Sequence, residues 1–383
     1  MSKRRGNHEG SIRRRGDGLY EARYTDQDGA RRSLYGATRH EVADKLAVAL
    51  RKLARGMPAH LDERMRLDAY LADWLVRIAP TVRASTHRRY AELLHHTYAS
   101  LGRVPLAKLQ PAHLDRLYAA LQQAPGDGVK ALSASTVRRV HSVLHKALSD
   151  AVRQGLLDRN VADLARAPRN QEYEPVLWTM AQARQFLHAA RDDRLGPLYV
   201  LAATTGMRLG ELCGLRWSDV DIESAALHVR VALDRYGRVA ETKTRASRRQ
   251  IELPTLALSA LRLQRRYQAE ERDRLGNAWQ GVGSDLVFTS IIGTPLDGSN
   301  TLKYFRRFVR DAGLPLIRLH DLRHLQASLL LAGGLHPKVV QERLGHSKTS
   351  ITMDTYSHLM PTLQREAAEV LDKLLGDWDD DDW

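Results

Sequence analysis

Apolar residues change their spacing along this chain, and each spacing restricts the backbone that can carry it. In SIRRR (11–15), LYEARYT (19–25) and RRSLY (31–35), polar and larger residues alternate, the period of a strand with one buried face. GDG and DQDG separate the three stretches and read as turns. TRHE follows, with Thr38 as N-cap and Glu41 at N3 of an amphipathic helix, EVADKLAVALRKLARG. Beyond it the period lengthens. LDAYLADWLVRIA has apolar residues at 67, 71, 74, 75 and 78, and STVRRVHSVLHKALSDAVRQG places Val137, Val140, Leu144, Leu148 and Val152 on one helix side. Ser85-Thr86 and Gln110-Pro111 mark two further helix starts, Pro111 at N1, and APGDGVKAL (124–132) is a loop. Pro168 and Pro175 make RAPRNQEYEPV (166–176) a linker.

The remainder mixes both periods. WTMAQARQFLHAA and GPLYVLAATTG are helical, and ALHVRVA, RVAETK and RRQIELP read as three strands of a meander. Helices resume at 255–274 and 298–312, then in HDLRHLQASLLLAGG, in HPKVVQERLGH and in a last helix ending near Leu375. The expected fold is therefore multidomain and mainly α. It has a small N-terminal three-stranded sheet plus helix (1–58), a helical domain (62–168), and an α+β domain with a small antiparallel sheet (175–383).

Charge narrows the partner. The chain carries net +14, and residues 1–56 hold 14 Lys/Arg against 7 Asp/Glu, half the excess in a small part of the length. Lysine and arginine gain affinity from phosphate contact and counterion release, so nucleic acid is the expected ligand. A three-stranded ribbon bearing Arg13, Arg14, Arg15, Arg23 and Arg31 can pack one face on its helix and lay the other in a major groove. Arg138, Arg139 and Lys146, off the apolar stripe of their helix, suit a groove-reading helix or a plain surface helix. Residues 366–383 reverse the sign, with 8 acidic residues beside Lys373, as a solvated tail would. The single cysteine, Cys213, excludes an internal disulfide and a Cys-rich zinc module. With neither a signal peptide nor a bilayer-length apolar run, a cytoplasmic location is expected.

HDLRH (320–324) poses the chemical question. Histidines four apart share a helix face, the spacing of a zinc helix, but Arg323 would add positive charge where a dication must sit. No metal is expected there. Phosphate suits the same residues: arginine offers a fork of donors, and a helix N-terminus adds free N–H groups. Other cationic donors occur in TGMRLGEL (205–212), TKTRASRR (242–249) and RLGHSK (343–348), ahead of DTYSH (354–358).

In that order these motifs resemble the tyrosine recombinase family, specifically the integrases of phages and integrative elements, over residues 175–375. The resemblance implies six site residues. Tyr356 attacks phosphorus to give a 3′-phosphotyrosyl link and a free 5′-hydroxyl, Arg208 and Arg323 hold the non-bridging oxygens, and Lys243 protonates the leaving oxygen. His320 takes the tyrosine proton and His346 hydrogen-bonds the phosphate. Beside these six, Glu211 reads as orienting Arg208 or backing up the site, and His324 as a structural hydrogen-bonder rather than a catalyst. Leu325 stands where the familiar motif continues with threonine or serine. The covalent intermediate conserves bond energy, so no cofactor is expected. The resemblance further implies arm-type DNA binding by residues 1–58 and core-site binding by 62–168. It also implies a homotetramer on two duplexes in a nucleoid-associated setting, and it admits a host bending factor and an excisionase. VLDKLL (370–375) suits docking on a neighbour or on its own domain. A chromosome or plasmid dimer resolvase, a type IB topoisomerase and a DNA-binding regulator without cleavage activity stand as alternatives.

Overall fold

The computed structural model describes residues 10–26, 29–54, 64–123, 131–169, 176–234, 237–241 and 248–345. The chain divides into two compact units, Met1–Tyr173 and Glu174–Trp383.

The first unit begins with β1 (Ser11–Arg14), β2 (Tyr20–Thr25) and β3 (Arg31–Gly36), an antiparallel sheet in chain order, followed by α1 (Arg39–Ala54). Ala22 pairs with Ile12 on one side and Leu34 on the other, so these three and Tyr24 share the face that meets Val42, Leu46 and Ala49. Thr38 accepts the Glu41 N–H at 3.1 Å as expected, while the Glu41 carboxylate reaches back to the Ala37 N–H (2.9 Å), one residue earlier than a standard box. The parity that buries Ala22 turns Arg13, Glu21, Arg23, Arg31, Ser33 and Tyr35 to the opposite face. Arg14 pairs with Tyr20 on the helix side and is not part of that outward row.

The same unit holds a second core built by α2 (Leu67–Ile78), α3 (Ala84–Leu101), α4 (Pro111–Leu121) and α5 (Ala134–Arg153). α3 starts slightly ahead of Ser85-Thr86, with Arg83 as N-cap and no side-chain cap bond. Pro111 takes N1 of α4 as expected. Trp74 and Tyr70 bury because their polar atoms find partners: the indole N–H donates to Asp150 (2.7 Å) and the phenol to the Ala147 carbonyl (2.6 Å). Val137, Val140, Leu144 and Leu148 of α5 are fully buried, and each such side chain stabilises by about 1.5–3 kcal/mol.

The basic remainder of α5 is narrower than its sequence suggests. His141 Nδ1 lies 2.9 Å from the Tyr118 hydroxyl, His145 Nε2 lies 2.7 Å from Asp163, and Arg153 pairs with Asp150. Arg138 and Arg139 are exposed and Lys146 is half-buried. Arg138 lines a cavity of about 660 Å³ with Arg166 and Arg169.

The second unit comprises α6 (Met180–Ala189), α7 (Gly196–Thr205), α8 (Leu209–Cys213), β4 (Val220–Asp221), β5 (Ala226–Val229), β6 (Val231–Leu233), β7 (Val239–Glu241) and β8 (Arg249–Glu252), then α9 (Thr255–Leu275), α10 (Gly298–Asp311), α11 (Asp321–Ala332) and α12 (Pro337–Leu344). The expected meander is not formed. ALHVRVA breaks at Arg230, which leaves to pair with Asp219 (3.2 Å), and the two halves join different sheets. β5 lies between β4 and β8, with Leu227 opposite Ile251 in the core, while among the described residues β6 pairs only with β7. Alternation continues through the break, so period alone could not locate it. Tyr199, Phe186 and Phe305 fill the centre of this unit. Cys213 is buried and burial pushes its thiol up to about 12, which leaves it unreactive. Among the described residues no helix is long and apolar enough to cross a membrane.

Candidate active site

The site forms where the C-terminus of α7 meets α8, β8, α11 and the end of α12. α7 stops at Gly206, which adopts the left-handed conformation (φ 63°). Only glycine suits it: a Cβ there would stand 2.2 Å from Gln326 Oε1 and 2.6 Å from Leu344 Cδ2. The reversal exposes the Gly206 carbonyl to α11, and Arg323 donates to it from Nη1 at 2.6 Å. Arg323 is 3% exposed, so its cation is held at one address by the backbone.

Two residues past the glycine, Arg208 is the N-cap of α8. Glu211 accepts both its backbone N–H (3.0 Å) and its Nη1 (2.8 Å). The Arg208 side chain keeps 40% exposure and its Nη2 lies 3.4 Å from the carbonyl of Gly345, the last described residue. Glu211 also accepts from Arg249 Nη2 at 3.0 Å, and this pair is deeply buried. Burial pushes the Glu211 carboxyl up, but Arg249, then the Arg208 N–H and guanidinium, outweigh it and hold the group below its ordinary range.

Arg249 extends the network. Its Nε donates to the Arg343 carbonyl at 2.6 Å, and Arg343 donates to the carbonyls of Thr204 (3.1 Å) and Glu252 (3.0 Å). Gln326 donates to Thr204 as well (2.9 Å). The sequence reading missed Arg249, Arg343 and Gln326. The signal for Arg249 was its parity with Ile251 on β8, which turns an arginine towards the core side.

HDLRH does not project as one face. His320 is the N-cap of α11, and its ring meets that of His324 edge-on, with centroids 5.3 Å apart. Arg323 points inward instead. Asp321, the carboxylate beside His320, is buried and bound by the backbone and guanidinium of Arg318 (2.7 and 2.8 Å). Leu325 packs in the main core of the unit, which accounts for an apolar residue after the second histidine. His320 keeps an exposed edge, yet desolvation by the surrounding protein, then Arg323, His324 and Arg208, pull it down to about 4. His324 is lowered too, chiefly by desolvation.

At neutral pH His320 is therefore an uncharged acceptor within the fields of Arg323 and Arg208. Its folded value lies below the ordinary 6.5, so the unfolded chain binds more protons between those values and stability falls as pH drops from 6.5 towards 4. A carbon-13 NMR titration of the histidine rings should give His320 a midpoint near 4. Bound DNA should raise it, because phosphate offsets the arginines. A midpoint near 6.5, unchanged by DNA, would contradict this environment.

Lys243, His346 and Tyr356 lie outside the described residues. β7 and β8 flank residues 242–247, which include Lys243.

Comparison with known proteins gives the family. The profile described as "Phage integrase family" matches residues 178–362. An integrase of Streptomyces ambofaciens is 31% identical over 352 residues, covering 88% of this chain and 87% of that protein. The chain belongs to the phage integrase family. A XerC-like tyrosine recombinase of Caldanaerobacter subterraneus subsp. tengcongensis is 27% identical, covering 90% of this chain and 92% of its own length. In fold, the integrase is similar to the Tn1549 transposon integrase solved with a circular-intermediate DNA. That match has a TM-score of 0.66 at 22% identity over 80% of this chain and 99% of the other. As a tyrosine recombinase of integrase type, the chain has site-specific DNA recombination as its reaction class.

Proposed function

We propose that this integrase inserts and excises a phage or other mobile element by cutting and rejoining duplex DNA through Tyr356. The observation that carries the reading is the fixed cationic pair beside a neutral imidazole: Arg208 held by Glu211, Arg323 held by the Gly206 carbonyl, and His320 depressed within their fields. Preorganised donors aimed at developing charge usually supply the largest catalytic contribution, and a phosphodiester gaining a fifth ligand needs them on its two non-bridging oxygens. His320 is uncharged and can accept the tyrosine proton. Lys243 protonates the leaving 5′-oxygen and His346 donates to the phosphate. Glu211 and Arg249 position Arg208 without touching DNA.

The chain's three parts divide the binding. Residues 1–58 take arm-type sites, 62–168 take the core site beside the cleavage point, and 175–383 carry the chemistry. Each tyrosine cuts one strand. Exchange of both strands between two duplexes therefore takes four copies, and residues 370–375 are the segment proposed to link neighbours. The protein acts in the cytoplasm, where the DNA is.

The test uses duplexes carrying the element's junction sequences. The protein should form an SDS-resistant adduct at a DNA 3′ end, undiminished by EDTA. Removal of residues 1–58 should leave that adduct but reduce complete recombination. Loss of the adduct in EDTA with rescue by zinc would sink the metal-free mechanism, and normal integration by the truncated chain would sink the arm-binding role.

A further inference from the structure

Glu21 stands at the middle of the outward face of the N-terminal sheet, on the central strand β2. Its side chain is 3% exposed although, among the described residues, no apolar layer covers that face; arginines cover it instead. Arg13 donates from Nε to Oε2 at 2.6 Å, Arg23 donates from Nε to Oε1 at 2.9 Å, and the Ser33 hydroxyl donates to Oε1 at 2.8 Å. A surface selected only to attract phosphate would do better without this carboxylate, which cancels one of the two cations it binds.

The carboxylate does something else to them. Each arginine is gripped through Nε, which fixes the guanidinium plane and leaves its Nη1–Nη2 end as a fork turned away from Glu21. Both side chains are exposed, at 58% and 48%. Phosphate accepts from a guanidinium in many orientations and carries no sequence information. The O6 and N7 of guanine need the fork in one plane at one place in the major groove. Tyr35 lies opposite Glu21 in register, 46% exposed, with the Arg15 guanidinium over its ring at 5.3 Å, and so borders the cluster with a fixed apolar surface.

We propose that Glu21 is a positioning residue that turns Arg13 and Arg23 from general phosphate ligands into guanine-reading forks, so that this face gains sequence discrimination and gives up affinity. The proposal rests on the reading of residues 1–58 as a DNA-binding part, and its test separates the two.

The full-length protein is used to select from a pool of random duplexes, beside Glu21→Gln and an Arg13→Ala/Arg23→Ala double variant. Affinities for selected and random duplexes are then measured against salt. If none of the selected sequences depends on the two arginines, the DNA-binding reading of residues 1–58 is itself overturned; core-site sequences bound by residues 62–168 are independent of them in either case. If some do depend on them, Glu21→Gln should bind random duplex more tightly, with a salt slope steeper by up to about 0.9. Its preference for the selected sequence should fall by at least about fivefold, the lower end for one lost bidentate base contact. An unchanged preference, or equal weakening on both duplexes, would reduce Glu21 to a structural tie and overturn the inference. Should Glu21→Gln lose amide protection in β2, Arg13→Lys/Arg23→Lys takes its place, keeping the charge and removing the fork. It should show the same loss of preference with an unchanged salt slope, and a retained preference again overturns the proposal.

Discussion

Tyr356→Phe will abolish covalent attachment to DNA while leaving DNA binding intact. The substitution removes one oxygen, the atom that would bond phosphorus, and leaves Arg208 and Arg323, the arginines proposed to hold the phosphate. Loss of a covalent nucleophile costs at least about a thousandfold in rate, so no adduct should appear above background. Three tyrosines of the cores offer poor substitutes. Tyr70, Tyr118 and Tyr199 are buried, and burial pushes each phenol up, away from ionisation. The measurement is an SDS gel of end-labelled duplex nicked next to the cleavage point, with a gel shift for binding. A 3′-linked adduct that survives the substitution would place the nucleophile elsewhere.

Glu211→Gln should harm both stability and cleavage, by routes that can be separated. The carboxylate compensates Arg249, and both side chains are deeply buried, at 4% and 6% exposure. A neutral amide leaves a buried guanidinium without its countercharge, which costs roughly 3–5 kcal/mol when one partner of such a pair is removed. A lower urea midpoint at unchanged slope is the expected signature. Adding Arg249→Met removes the stranded charge, and the double variant should recover much of the stability. It should not recover cleavage, because Arg208 still lacks the carboxylate that holds its Nη1 and backbone N–H. Cleavage restored along with stability would show that Glu211 only supports the fold.

How much of this was legible beforehand depended on distance along the chain. Thr38 and Gln110-Pro111 sit next to the helices they start, and a cap is written within four residues. Strand parity in the N-terminal sheet was equally local and placed most of its arginines, although it also set Arg14 on the helix side. Glu211 could be assigned to Arg208 because one helical turn separates them. The split of ALHVRVA could not be read, since alternation persists through Arg230 and only the partners of each half differ. The partners of His141 and His145, Tyr118 and Asp163, lie 23 and 18 positions away, beyond the reach of any local signal.

The sequence by itself determined the elements, the order of the cationic motifs and the family those motifs belong to. These follow from signals spanning a few residues or from the linear order of side chains. Only the tertiary structure decided what holds the clamp. Arg323 is fixed by a carbonyl 117 positions away, Arg249 bridges Glu211 and the end of α12, and Gly206 must lack a side chain because Gln326 and Leu344 fill the space. Such contacts join positions with no common period, and burial makes their partners obligatory only once the chain has packed.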